Sequence, residues 1–177
     1  DIDDLLSQVK KHVDASEYNK ALEELDWLKK EIEKKSFNKL TSLLPSEIEG
    51  FKGEPAQSQS MMGCTTVEKK YTKDSKNLTL SIVGGSSGGA LGGFAALGQM
   101  AAAMGGAQGN GMESFRVSGK TAQLEMQAGS SYGTVTIFLD GGSILKLELQ
   151  GADSVDELKS LVKAVDIDKI NNHVSGK

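Results

Sequence analysis

Apolar residues recur at three- and four-residue steps from the start of the chain. Ile2, Leu5, Leu6, Val9 and Val13 form the stripe of an amphipathic helix. Asp1, Asp3 and Asp4 stand at its beginning, where carboxylates favour the positive end of the helix dipole. A second stripe comes next in Tyr18, Ala21, Leu22, Leu25, Leu28 and Ile32, and Ser16 is the predicted N-cap for it. This helix is expected to run on through Phe37, Leu40 and Leu43 until Pro45 stops it. Residues 1–44 are therefore read as a helical hairpin, packed on the rest of the protein or on another copy of it. The phrase Glu17-Tyr18-Asn19-Lys20-Ala21-Leu22 resembles the second half of a tetratricopeptide-type unit, but the sequence holds no second copy to stack on it.

Beyond Pro45 the period changes. Pro45 to Ser60 carries two prolines and two glycines and reads as a non-helical connection, with Ile48 and Phe51 tucked against the domain beyond. Cys64 to Thr72 and Leu78 to Val83 read as a β-hairpin, the second strand alternating apolar and polar side chains. Phe115 to Val117 and Thr121 to Met126 flank Ser118-Gly119-Lys120, and Thr134 to Leu139 and Ser143 to Leu149 flank Asp140-Gly141-Gly142. Tight turns between about six strands favour antiparallel pairing. Ser154-Val155-Asp156-Glu157 fits a capping box, and Val155, Leu158, Leu161, Val162 and Val165 continue it at helical spacing. The expected fold is α+β: an N-terminal α-hairpin, then an antiparallel domain over residues 45–170 with a C-terminal covering helix. A short turn at Ile167 and Ile170 and a frayed polar tail over 171–177 complete it.

One stretch breaks this pattern. Between Lys76 and Glu113 there is no Asp, Glu, Lys or Arg, and the insert over residues 84–112 is rich in glycine, alanine and methionine. Its centre, from about Ala90 to Met104, reads as a short helix with Leu91, Phe94, Leu97 and Met104 near one face. Three readings stay open: packing on the sheet or on a second copy, lying in a bilayer interface, or lidding a ligand pocket with Phe94, Met100 and Met104. The uncharged core is shorter than the roughly 20 apolar residues a spanning helix needs. Leu91, Phe94, Leu97, Met100 and Met104 are the candidate contact residues.

Composition narrows the chemistry. A 38% hydrophobic and 25% charged make-up fits a folded chain, and a net charge of -4 argues against nucleic acid as a partner. The single cysteine, Cys64, excludes an intrachain disulfide and a cysteine metal cluster. Neither His12 nor His173 belongs to a metal-binding motif such as HExxH, and no GxSxG nucleophile motif occurs. The run Gly84-Gly85-Ser86-Ser87-Gly88-Gly89 comes directly after a strand, but Ala90 and Leu91 stand where a phosphate loop needs Lys and Ser or Thr. No catalytic residue, metal ligand or cofactor is therefore assigned.

The long β-meander, the hairpin Val117 to Ala122 and the ending SILKLELQGADSVDELKSLVKAVDIDKI resemble uncharacterised exported bacterial proteins with a PsbP/Mog1-like α/β layout. The resemblance covers roughly Leu44 to Ile170 and implies a periplasmic or otherwise exported binding module. The expectation is thus a non-enzymatic, envelope-associated interaction protein. Its partner is a second copy or another envelope protein, with peripheral membrane contact through the insert. The alternative is an enzyme or small-ligand binder whose pocket uses scattered acids and Tyr18, Tyr71 or Tyr132, lidded by residues 84–112.

Overall fold

The computed structural model describes residues 1–61, 64–85 and 112–177. Two compact units emerge, Asp1–Ser42 and Leu43–Lys177. The first holds helices α1 (Ile2–Asp14) and α2 (Tyr18–Leu43). Between them the chain reverses through Ala15, Ser16 and Glu17, with the Glu17 N–H donating to the His12 carbonyl at 2.8 Å. Ser16 does not cap α2, contrary to the sequence expectation. It takes φ +59° inside the turn, and Glu17 is the residue whose carbonyl accepts the first helical bond, from Ala21 N–H. A left-handed residue at the reversal shifts the helix start by one position, and no spacing rule in the sequence encodes that shift.

The second unit is built on one antiparallel sheet. Its strands are β1 (Glu47–Ile48), β2 (Phe51–Gly53), β3 (Gln57–Met61), β4 (Cys64–Lys73), β5 (Lys76–Gly85), β6 (Met112–Val117), β7 (Lys120–Met126), β8 (Tyr132–Phe138) and β9 (Ile144–Gln150). Their order is β1-β2-β4-β5-β9-β8-β7-β6, with β3 also paired to β4. The α+β class expected from the sequence is what forms, with nine strands among the described residues rather than about six. The three additional strands lie in the segment read as connection. They are short, and hold as strands because their backbones bond to neighbouring strands, β2 and β3 both pairing with β4. Ile48 and Phe51 are both buried, as their apolar character requires.

Period-two alternation assigns the two faces. On the inner face three rows cross the sheet in register. Ile82, Leu145, Ile137 and Ala122 make one; Leu80, Leu147, Val135 and Leu124 the next; Leu78, Leu149 and Gly133 the third. All of these side chains are buried, so a one-residue slip of any strand would turn its leucines outward. Helix α3 (Val155–Lys163) packs on β8, with Leu158 seated over Gly133, the one position in these rows that has no side chain. Helix α3 starts as the capping box predicts: Ser154 Oγ accepts from Glu157 N–H at 3.2 Å. Glu157 reaches back, but to the N–H of Asp153 at 2.8 Å rather than to that of Ser154.

Helix α4 (Ile167–Ser175) replaces the predicted short turn and frayed tail. Asp166 caps it through Lys169 N–H, and Ile167, Ile170 and Asn171 are buried. Asn171 donates to Asp140 Oδ2 at 3.0 Å and accepts from the Asp140 N–H at 2.8 Å, tying α4 to the 3-10 turn Asp140–Gly142. A polar residue that satisfies a turn in this way reads in sequence as a solvated tail.

The contact residues Leu91, Phe94, Leu97, Met100 and Met104, and the short helix expected around them, lie outside the described residues. Among those that are described, no helix is long and apolar enough to cross a membrane.

Candidate functional site

The helical pair offers more apolar surface than two helices can hide. On α1 the covered positions are Ile2, Leu5, Val9 and His12; along α2 as far as Glu31 they are Ala21, Glu24, Leu28 and Glu31, with Phe37, Leu40, Thr41 and Leu43 covered beyond. Both sets run in the same steps of three, four and three residues, one line down each helix. Up to Ile32, the remaining apolar residues other than Trp27 fall beside these lines and stay in solvent. On α1 they are Leu6 and Val13. On α2 they are Tyr18 at 63% exposure, Leu22 at 60%, Leu25 at 43% and Ile32 at 50%. Tyr18, Leu22, Leu25, Lys29 and Ile32 are spaced alternately by four and three residues, the seam spacing of a coiled coil. Trp27 is equally exposed but sits on the opposite side of α2, beneath the Lys30 ammonium at 4.8 Å from its ring centre.

The turn end of the pair is fixed by charge. Glu17 bonds to His12 Nδ1 and to Lys20 Nζ, each at 2.7 Å. These contacts, Lys20 first and His12 second, hold the Glu17 carboxyl below the usual carboxylate range. A shallow, open concavity of about 300 Å³ lies here, lined by the consecutive residues Ser16 to Lys20. It brings together no groups from separate elements, so it presents the turn itself rather than a constellation that could work on a substrate.

The outer face of the sheet carries one apolar row, Val83, Ile144 and Phe138, and polar rows beside it. The polar rows run Lys70, Thr79, Glu148, Thr134, Glu125 and Glu68, Ser81, Lys146, Thr136, Gln123. Glu148 accepts from Tyr132 Oη at 2.5 Å and from Lys146 Nζ at 2.8 Å. Burial pushes the Glu148 carboxyl up, and the Lys146 and Tyr132 bonds outweigh it, leaving the group below its ordinary value. Lys146 and Glu148 are two residues apart on β9, whereas Tyr132 joins them only through the β8–β9 register, which no local pattern reveals.

Tyr71 and Tyr132 of the pocket alternative lie on opposite faces of the sheet. Tyr71 is buried in the inner face and donates to the Pro45 carbonyl at 3.0 Å, and its burial raises the phenol above its ordinary range. Tyr132 projects from the outer face of the same sheet, and Tyr18 stands in solvent on α2. His12 is held by Glu17, and His173 lies in α4. Among the described residues, no three His, Cys, Asp or Glu side chains cluster as metal ligands would. Cys64 opens β4, paired in register with Gly85.

Comparison of the chain with protein-family models, with curated proteins and with solved structures finds no match.

Proposed function

We propose that this protein is a non-enzymatic interaction module, exported or envelope-associated, that engages its partner through the apolar seam of the helical pair. The observation that carries the reading is the exposure of Tyr18, Leu22, Leu25 and Ile32 along one line of α2. Four large apolar side chains aligned in solvent carry a standing hydrophobic cost that contact with another surface removes, about 25 cal/mol for each Å² covered. Most of the exposed large apolar side chains lie on the helical pair, with Met112 and Tyr132 the others among the described residues. Export is the part of the reading that rests on the sequence's resemblance to exported proteins of PsbP/Mog1-like layout. The Gly/Ala/Met-rich insert is its second contact element, supported by composition.

The test is site-specific photo-crosslinking of the intact protein in cells. A photoreactive residue replaces Leu22 or Leu25, and the control position is Trp27 on the opposite side of the same helix. Adducts at Leu22 and Leu25 well above those at Trp27 are expected. Equal yields at all three positions would remove the seam from consideration as the binding surface.

A further inference from the structure

We propose that the outer face of the sheet, at the row Val83, Ile144 and Phe138, is the docking surface for residues 86–111 of the same chain. Those residues lie outside the described ones, and the argument comes from where the chain leaves the sheet and where it rejoins it. The inference rests on the reading of the insert as a contact element and adds the surface that element meets. Strands β5, β9, β8, β7 and β6 are neighbours in that order, each pair antiparallel. Strands β5 and β6 therefore run the same way, with three strands between them. The chain leaves at Gly85, the upper end of β5. It rejoins at Met112, the lower end of β6, in the row of Thr79, Glu148, Thr134 and Glu125. Strand spacing and rise put these two ends roughly 20 Å apart across the sheet and roughly 20 Å along it. A link between parallel strands has to cross one face of the sheet to make up that offset.

The inner face is already occupied along that path. Helix α3 seats Leu158 against Gly133 of β8, and its Lys159 bonds to Glu113 of β6 at 2.7 Å and lies over the Phe115 ring at 5.7 Å. Chain handedness selects the outer face independently. Leu139 N–H donates to the Ser143 carbonyl at 2.9 Å, and Gly151 N–H donates to the Ser131 carbonyl at 2.7 Å. The inward-facing residues of β8 are therefore the ones whose backbone groups point at β9. An L-residue in a rising strand, with its side chain toward the viewer, directs its N–H and C=O to the right. Seen from the inner face with β8 rising, β9 and β5 are on its right, and β7 and β6 on its left. Seen from the outer face, β6 stands to the right of β5, so a link crossing in front of that face is right-handed. Crossing the inner face would make it left-handed, a hand that such connections almost never take. The surface on the outer route suits an uncharged segment. Val83, close to the exit at Gly85, begins the apolar row, and Met112 points to the same face. Residues 86–111 hold no Asp, Glu, Lys or Arg, so no charge is buried against that row.

The experiment takes the intact chain and two readings. In the first, a photoreactive residue replaces Thr136, on the outer face of β8 beneath the route, or Lys70, on the outer face of β4 beyond it. Adducts within residues 86–111 of the same chain are expected from the Thr136 site and not from the Lys70 site. In the second, Ile144→Cys is combined with Cys64→Ser, which leaves one thiol. Its alkylation is compared with that of the same variant carrying a Gly/Ser linker of equal length in place of residues 86–111. The linker should speed alkylation at least about tenfold, whereas Lys70→Cys should react alike in both chains. Unchanged hydrogen exchange of β8 and β9 amides checks that the linker chain is folded; if it is not, the photo-adducts decide alone. Equal alkylation of Ile144→Cys in two folded chains overturns the inference. Adducts that join the Thr136 site only to a second chain leave the insert standing as a contact element and remove its docking on its own sheet. If that site yields no adduct with residues 86–111 of any chain, both fall.

Discussion

Gly133 is the position at which this fold is most sharply testable. A Cβ built there would fall against Leu158 Cδ1, inside any approach that real Cβ atoms make, and within 3.4 Å of Cδ2 and Cγ. Leu158 is fully buried, so it cannot swing into solvent to make room. Gly133→Ala therefore overpacks the contact of α3 with β8, at a cost of about 1–3 kcal/mol. Replacing a strand glycine offsets roughly 0.5–1 kcal/mol of that. Leu158→Ala leaves a cavity instead and should cost about 2–5 kcal/mol. The informative protein carries both changes. The alanine methyl at residue 133 then occupies space that Leu158 has vacated, so the double variant should be more stable than the sum of the single effects by roughly 1–2 kcal/mol.

Urea unfolding is the assay, read by hydrogen exchange at β8 and β9 amides. Trp27 lies in the helical unit, so its fluorescence would report the wrong element. With a slope of about 1–3 kcal/mol per molar urea, a coupling of this size displaces the midpoint measurably. Additivity of the two substitutions within about 0.5 kcal/mol would refute the claim that these residues share one packing site.

The geometry sets three other outcomes. Lys120 above all, and Asn171 after it, hold the Asp140 carboxyl below the usual carboxylate range. Its contribution is therefore complete above the unfolded value of about 3.9 and is lost as pH falls further. The urea midpoints of wild type and Asp140→Asn should differ by a constant amount at neutral pH and converge in acid; a gap that widens in acid would reverse the assignment. Tyr71→Phe keeps the buried ring and removes the bond to the Pro45 carbonyl, a loss of about 0.5–1.5 kcal/mol by urea unfolding. Because burial raises the Tyr71 phenol, wild type should also lose stability as pH climbs above about 10, and the Phe variant should lack that component. Ser154→Ala removes the oxygen that accepts from Glu157 N–H and should cost about 1 kcal/mol, with faster exchange of the first-turn amides of α3.

The elements most legible in the sequence are those whose neighbours are local. Both N-terminal helices can be read from their apolar spacing, and β4 with β5, β6 with β7 and β8 with β9 are hairpins whose turns can be read from Asp74-Ser75, Ser118-Gly119 and Asp140-Gly141-Gly142. Ser118 and Gly119 both take positive φ, as a two-residue hairpin turn demands. The elements that stayed hidden depend on partners distant in sequence. Strands β1 to β3 exist through their pairing network rather than their own alternation, and α4 depends on a buried asparagine that bonds to a turn far back in the chain. The seam on α2 was visible as a stripe of apolar letters. Which of those letters would be covered, and which left in water, needed the three-dimensional structure. The candidate residues of the insert, Leu91 to Met104, lie outside the described residues.

The strand order has a consequence for how the chain is made. Strand β9 sits in the middle of the sheet, bonded to β5 on one side and β8 on the other, yet it is the last of these nine strands to be synthesised. Until it arrives, the β4–β5 hairpin displays Leu78, Leu80 and Ile82 along an open edge, and the β6–β7–β8 meander has no strand that joins it to that hairpin. The closing contact, Val83 with Ile144, spans a long loop, so its entropy must be met before the inner rows can seal. A nascent chain of this protein therefore passes through a window in which it is a sticky half-sheet. Holding that edge apart from its neighbours is the service a chaperone would have to render it.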